Sequence, residues 1–201
     1  MKKFILDKCI NIVKQNNNYD ETKLAEIRYG LEGIYLTITK IIIISTLSII
    51  LGIFKEFLIF LGIYTIIRTT SFGLHASKSW ICLITSTIFF IGFPLLSIYT
   101  TLNITLKITI GIISTIGIFL FSPADTVKRP IINKTRRKIY KILSTIISII
   151  YLILSIKIKN NYISNSLIYS TILQNILISP ITYKLFNMPY NNYKTYKKNM
   201  V

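Results

Sequence analysis

Apolar blocks long enough to cross a bilayer constrain this chain more than any other feature. Ile41–Phe54, Trp80–Leu102 and Ile142–Ile156 are almost free of charge, and a spanning helix needs about 20 mostly apolar residues. With 201 residues, 52% of them apolar and only 15% charged, a water-soluble fold would have nowhere to hide that surface. The mean hydropathy of +0.57 points the same way. The sequence therefore predicts an all-α fold, a polytopic membrane helical bundle, in which each helix satisfies its own backbone inside hydrocarbon.

About six membrane segments are expected, at 34–54, 57–72, 81–102, 104–121, 142–157 and 163–184. The second is anomalous: its clean apolar run, Phe57 to Ile67, covers eleven residues, about 16 Å at 1.5 Å per residue against about 30 Å of hydrocarbon. It is expected to be short or re-entrant, or to carry Arg68, Thr69, Thr70 and Ser71 into a polar pocket at membrane depth. Ahead of the spans, Ile5, Cys9, Ile12 and Val13 recur at helical spacing among lysines and Asn11, the pattern of an amphipathic helix on the membrane surface. Asn16–Asn18 ends it. A second pattern, Leu24, Ile27, Leu31 and Ile34, follows Asp20 as N-cap and runs into the first span. Pro94 is expected to kink the third span.

The net charge of +17 and pI near 9.9 would suggest nucleic acid in a soluble protein. Here the cations instead cluster in short stretches between apolar blocks, as the positive-inside rule requires, and no nucleic-acid partner is expected. The arm with Lys2, Lys3, Lys8, Lys14, Lys23 and Arg28, and the connection with Lys128, Arg129, Lys134, Arg136, Arg137, Lys138 and Lys141, both belong on the cytoplasmic side. The connections at Lys55, Asn103 and 157–161 carry few charges and fall outside. Six crossings then put both termini and the 68–80 segment in the cytoplasm. Acids stop at Asp125, so an acidic peptide or an anionic lipid surface would be drawn to the basic side. Met1 to Asn18 lacks the apolar run and cleavage site of a secretory signal.

Two cysteines, Cys9 and Cys82, form no disulfide framework and no metal-binding spacing, so neither metal nor cofactor is expected. Cys9 reads as an apolar-face residue. Cys82 lies seven residues after His75, the single histidine. A thiol needs a base to become thiolate at neutral pH, and imidazole is the usual one. On one unbroken helix the two residues would stand about 10 Å apart along the axis, beyond hydrogen-bond reach. Catalysis therefore demands a break between them. Gly73 permits a turn before His75, and Ser77 or Ser79 can cap a helix starting near Trp80. Cys82 would then lie in its first turn, where free N–H groups and the helix dipole favour a thiolate and an oxyanion. The competing reading is a packed cysteine and an interfacial histidine.

The stretch Arg68-Thr69-Thr70-Ser71-Phe72-Gly73-Leu74-His75-Ala76-Ser77-Lys78-Ser79-Trp80-Ile81-Cys82 resembles the active-site segment of the AgrB family, the accessory gene regulator membrane peptidases. Tyr29-Gly30-Leu31-Glu32 and Ser122-Pro123-Ala124-Asp125-Thr126, with Lys128 and Pro130, resemble two further family motifs. One departure is Phe72-Gly73 before Leu74, where the family often has two glycines. The resemblance implies a membrane cysteine endopeptidase that removes the C-terminal tail of a small AgrD-like propeptide and promotes its cyclisation to a thiolactone or lactone quorum-sensing peptide. It makes Cys82 the nucleophile that holds the acyl-enzyme and His75 the base. With the crossings read above, the chain divides into 1–33, a cytoplasmic amphipathic region; 34–185, a transmembrane peptidase domain; and 186–201, a basic cytoplasmic tail.

Asp125 is either a third member orienting His75 or, as its place after Pro123 favours, a cap or turn residue. Arg68 pairs with a substrate carboxylate, pairs with Glu32, or marks the interface. The run Lys128–Lys141 sets topology and can also dock the acidic tail of the propeptide. The lipid bilayer is the other expected partner, and dimerisation is left open. The alternative reading is a non-enzymatic transporter or export partner for a peptide, with the short second segment forming part of a path.

Overall fold

The computed structural model describes residues 2–16, 19–74, 79–126 and 130–194. They form eight helices: α1 (Lys2–Asn16), α2 (Glu21–Ile50), α3 (Phe54–Ser71), α4 (Ser79–Tyr99), α5 (Ile104–Phe121), α6 (Lys134–Lys157), α7 (Asn161–Ile178) and α8 (Pro180–Leu185). Contacts divide the chain into two compact units, Met1–Leu47 and Ser48–Val201.

In the first unit, Leu6 and Ile10 of α1 and Leu24 of α2 are buried, and Arg28 pairs with Asp7 at 2.5 Å. The inward positions of α1 are thus one residue off the expected stripe, with Ile5 and Ile12 exposed. Asp20 caps α2 by accepting the Lys23 N–H at 2.9 Å. The second helical pattern and the first span form one continuous helix.

Among the described residues, four helices are long and apolar enough to cross a membrane: α2, α4, α5 and α6. The chain is therefore an all-α, multi-pass membrane protein. The apolar run of α3 understates its length. Phe54–Glu56 precede that run and Arg68–Ser71 continue it, giving 18 residues, about 27 Å, with the Thr69 and Thr70 hydroxyls satisfied on the carbonyls of Ile66 and Ile67. The expected 163–184 segment divides at Ser179, which caps α8.

The second unit is organised around α7, which packs against α3, α4, α5 and α6. Its buried residues are largely small or polar: Ser164, Asn165, Ser166, Ser170, Thr171 and Gln174. Large isoleucines point outward from α5 and α6. That inversion suits a bilayer, where tails are as apolar as leucine and helices associate through close packing and polar contacts. Asn175 Nδ2 donates to the Ser114 carbonyl at 2.7 Å, Asn165 Nδ2 to the Thr100 carbonyl at 2.7 Å, and Tyr151 to the Ile63 carbonyl at 2.6 Å. Lys107 reaches Ser164 Oγ at 2.7 Å. Aromatic packing joins α3 to α4: Phe60 stacks on Phe93 at 5.9 Å and Tyr64 meets Phe90 edge-on at 5.3 Å. Pro94 lies buried inside α4.

Gly117 lets α5 approach α7 closely. A Cβ there would lie 3.0 Å from Asn175 Cγ and collide with its amide oxygen. Gly117→Ala should displace the Asn175 bond to Ser114 and cost about 1–2 kcal/mol, read as a lowered unfolding midpoint in detergent. Gly62→Ala, with nothing within 4 Å, should cost nothing. Equal midpoints for the two variants would refute this account of the α5–α7 contact.

Candidate active site

Immediately after α3 the backbone turns sharply. Phe72 has φ 57° and ψ −136°, a region that L-residues adopt only under constraint, and Gly73 has φ 122°. A Cβ on Gly73 would lie 2.9 Å from the Leu177 carbonyl oxygen and closer still to the Arg68 guanidinium. Only glycine fits without displacement.

What holds this turn is a complete set of hydrogen bonds. The Phe72 N–H donates to the Arg68 carbonyl at 3.0 Å, the Gly73 N–H to the Ala124 carbonyl at 2.9 Å, and the Leu74 N–H to the Leu177 carbonyl at 2.9 Å. The three carbonyls converge on Arg68. Its Nη1 donates to Phe72 O, and its Nη2 donates to Gly73 O at 3.2 Å and Leu74 O at 2.9 Å. Gln174 Nε2, from the middle of the bundle, adds a second donor to Phe72 O at 2.8 Å. All six backbone polar groups of Phe72–Leu74 are therefore bonded, and the segment is fixed up to the residue before His75.

Ala124 completes the clamp. Its N–H donates to the Ser71 carbonyl at 3.1 Å, forming an isolated parallel bridge with Phe72. The next residue, Asp125, is 3% exposed. Its Oδ1 accepts from the Asn192 N–H at 3.0 Å. Its Oδ2 accepts from the N–H groups of Tyr193 at 3.0 Å and Ile131 at 3.3 Å, and from Arg137 Nη1 at 3.3 Å. Tyr183 donates to its carbonyl at 2.9 Å. Because Asp125 follows Ala124 directly, these bonds also fix the chain that carries the Ala124 clamp. Around this hub lies a strap of residues 189–193. Burial pushes the Tyr190 phenol above its ordinary value, Arg137 opposing and the Asp125 carboxylate adding to the shift. The phenol stays protonated and donates to the Phe121 carbonyl at 3.4 Å. Asp125→Ala should cost about 3 kcal/mol, because it strands the Arg137 guanidinium, only 19% exposed, and three amides. Unchanged resistance of the C-terminal strap to proteolysis in that variant would contradict this role.

Cys82 is the fourth residue of α4 and half-buried. The chain is non-helical at Phe72–Leu74, so α3 does not continue as one straight helix to Cys82. His75, Lys128 and Arg129 lie outside the described residues. Arg68 and Gly73 meet directly, Asp125 joins them through Ala124, and Glu32 lies half-buried on α2 in the other unit. Sequence reasoning missed Gln174 and the strap, and met Ala124 only as part of the motif at 122–126. Of these, only Gln174 left a usable signal, as a long polar side chain within an apolar segment.

A cleft of about 280 Å³ opens beside the turn, between Phe72, Ile131, Ile132, Arg136 and Tyr140. Phe72 meets Tyr140 edge-on at 4.9 Å, and Arg136 Nη2 donates to the Tyr140 hydroxyl at 3.2 Å. The cleft has apolar walls and a cationic rim. Among the described residues no group of histidine, cysteine and acidic side chains could hold a metal ion.

The family model for Accessory gene regulator B matches residues 6–178, from the N-terminal helix to the end of α7. The chain belongs to the AgrB family. Accessory gene regulator protein B of Staphylococcus aureus (strain JH9) is 30% identical over 177 residues, covering 88% of this chain and 93% of the relative. An AgrB-like protein of Clostridium acetobutylicum is 26% identical over 201 residues, covering 98% and 96%. One of Listeria monocytogenes serotype 4a is 28% identical over 178 residues, covering 89% and 87%. No solved structure matches. As an AgrB-family membrane protein the chain is a cysteine-peptidase-type enzyme whose role is the processing of AgrD-type propeptides.

Proposed function

We propose that Cys82 is the nucleophile and His75 the general base in the cleavage of an AgrD-like propeptide. The single observation that carries this reading is the fully bonded Phe72–Leu74 turn, which delivers the chain to His75 from a fixed point. Such preorganisation is what a dyad needs, and a span that merely crossed the membrane would have no use for a strained phenylalanine and an arginine bonded to three carbonyls.

In this reading His75 takes the Cys82 proton, and the thiolate adds to the carbonyl carbon before the propeptide's tail. The C–N bond breaks, the imidazolium gives its proton to the departing amine, and a thioester joins the propeptide to Cys82. The propeptide's own Cys thiol or Ser hydroxyl then attacks the thioester, closing a thiolactone or lactone ring and returning Cys82 as thiol. Restricted access of water favours the ring over the free acid. Arg68 and Gly73 act as positioning residues for His75. Lys128 and Arg129, at the start of the basic run, receive the acidic tail. We place the site and both termini on the cytoplasmic side of the cell membrane, with α1 lying along its surface and six segments within it.

Co-expression with the propeptide, followed by intact-mass measurement of the purified full-length protein, tests this. The expected mass gain equals the propeptide without its tail, and hydroxylamine cleaves the thioester, releasing the peptide as a hydroxamate and Cys82 as thiol. Processing without any adduct on Cys82, even when ring closure is blocked by mutating the propeptide's internal nucleophile, would overturn the mechanism.

A further inference from the structure

We propose that the cleft between the end of α5, the start of α6 and the C-terminal strap binds the phosphodiester headgroup of an anionic phospholipid. The cleft measures about 500 Å³, and its walls include Arg137, Lys138, Lys141, Tyr190, Tyr193 and Leu120. It shares no lining residue with the Phe72–Tyr140 cleft, and the proposal does not depend on the catalytic assignment.

Charge is the first argument. Arg137 is neutralised by Asp125 at 3.3 Å and lies over the Tyr193 ring at 3.6 Å. The Asp125 oxygens accept from Asn192, Tyr193, Ile131 and Arg137, and among the described residues neither lysine pairs with them, so the two lysine charges are available to an anion at the cleft. The sequence holds no acid after Asp125, and the one before it is Glu56, at the opposite end of α3 from Ser71. Lys141 Nζ lies 4.5 Å above the Phe119 ring, so its cation is held at the rim against an apolar face. A basic pocket at the end of spanning helices is a recurrent headgroup site.

The second argument selects a lipid over an acidic peptide. Phe119 and Leu120, in the last turn of the spanning helix α5, are 51% and 58% exposed. They continue the cleft onto the surface where acyl chains lie. A bound phospholipid would place its phosphate between Lys138 and Lys141 and its chains along Leu120. A peptide carboxylate would match the charge and leave that apolar exit unused.

The test uses the full chain in nanodiscs of phosphatidylglycerol and phosphatidylcholine in equal proportion, with native mass spectrometry of the released protein. Wild type should retain one phosphatidylglycerol in about tenfold excess over phosphatidylcholine, and K138Q/K141Q should lose that excess. K138R/K141R should keep it, as should K157Q/K159Q at the other end of α6. Equal retention of the two lipids by wild type, undiminished retention in K138Q/K141Q, or an equal loss in K157Q/K159Q would each overturn the proposal. Two further arms separate other sources of the same charge. Displacement of the lipid by glycerol 3-phosphate would mean a phosphate site without lipid. Cross-linking of an acidic peptide to Lys138, undiminished by phosphatidylglycerol, would mean a peptide site. Should K138Q/K141Q fail to fold, judged by its unfolding midpoint, the single variants K138Q and K141Q carry the same comparison.

Discussion

Cys82→Ala should abolish propeptide processing, with a fall of roughly 10⁴-fold or more, while the protein still inserts and keeps its unfolding midpoint. Cys82 is half-buried near the start of α4, and its neighbours in the helix bond to backbone carbonyls, so removing one sulfur disturbs little packing. His75→Ala should fail to a similar degree, because a nucleophile and its base act as one unit and their losses do not add. The double variant should therefore be no worse than either single one. A time course of tail release with purified protein in vesicles distinguishes the outcomes. If His75→Ala processes at the wild-type rate, the base is another group. If Cys82→Ala does, the thiol is only a packed residue.

The second large effect is expected at Arg68. One guanidinium serves three carbonyls in succession, those of Phe72, Gly73 and Leu74. Lysine presents a single point of donation and cannot reproduce that fork. Arg68→Lys should therefore lower kcat by about 10²-fold with KM little changed, the signature of a reacting group displaced by about 1 Å. Gly73→Ala should do the same by another route, since its Cβ would meet both the Leu177 carbonyl and the Arg68 guanidinium. A merely structural role would instead lower the unfolding midpoint and leave kcat per folded molecule intact. A wild-type kcat in Arg68→Lys would show that the clamp does not position His75.

Several elements were legible in the sequence for reasons that hold locally. The span expected at 104–121 coincides with α5, because Asn103 caps its start by accepting the Leu106 N–H and Ser122-Pro123 ends it. Asp20 as a cap was equally visible. The length of α3 was not: hydropathy counts apolar side chains, and Thr69, Thr70 and Ser71 sustain a helix without being apolar. α7 was legible as a segment and illegible as the centre of the bundle. Its serines, Asn165 and Gln174 lower its hydropathy, yet they are buried, because in a membrane protein polar and small residues turn toward other helices.

The turn before His75 shows the same limit. Gly73 announced a bend, and Phe72 stands where the family often has glycine. Nothing local indicates that Phe72 itself adopts φ 57°, since that strain is sustained by Arg68 four residues earlier and by Gln174 about a hundred residues later. Asp125 was visible as a candidate residue after Pro123, but its partners at Arg137, Asn192 and Tyr193 come from segments that only folding brings together.

By itself, then, the sequence determined that this chain crosses a membrane several times as helices, and which segment holds both Cys82 and His75. Those properties follow from runs of transfer free energy and from the chemistry of residues near one another in the chain. Which face of each helix turns inward, what Arg68 and Asp125 bond to, and how the chain is fixed before His75 were decided only by tertiary structure. The physical reason is that hydrogen bonds to buried carbonyls depend on geometry over a few ångströms between segments as much as a hundred residues apart.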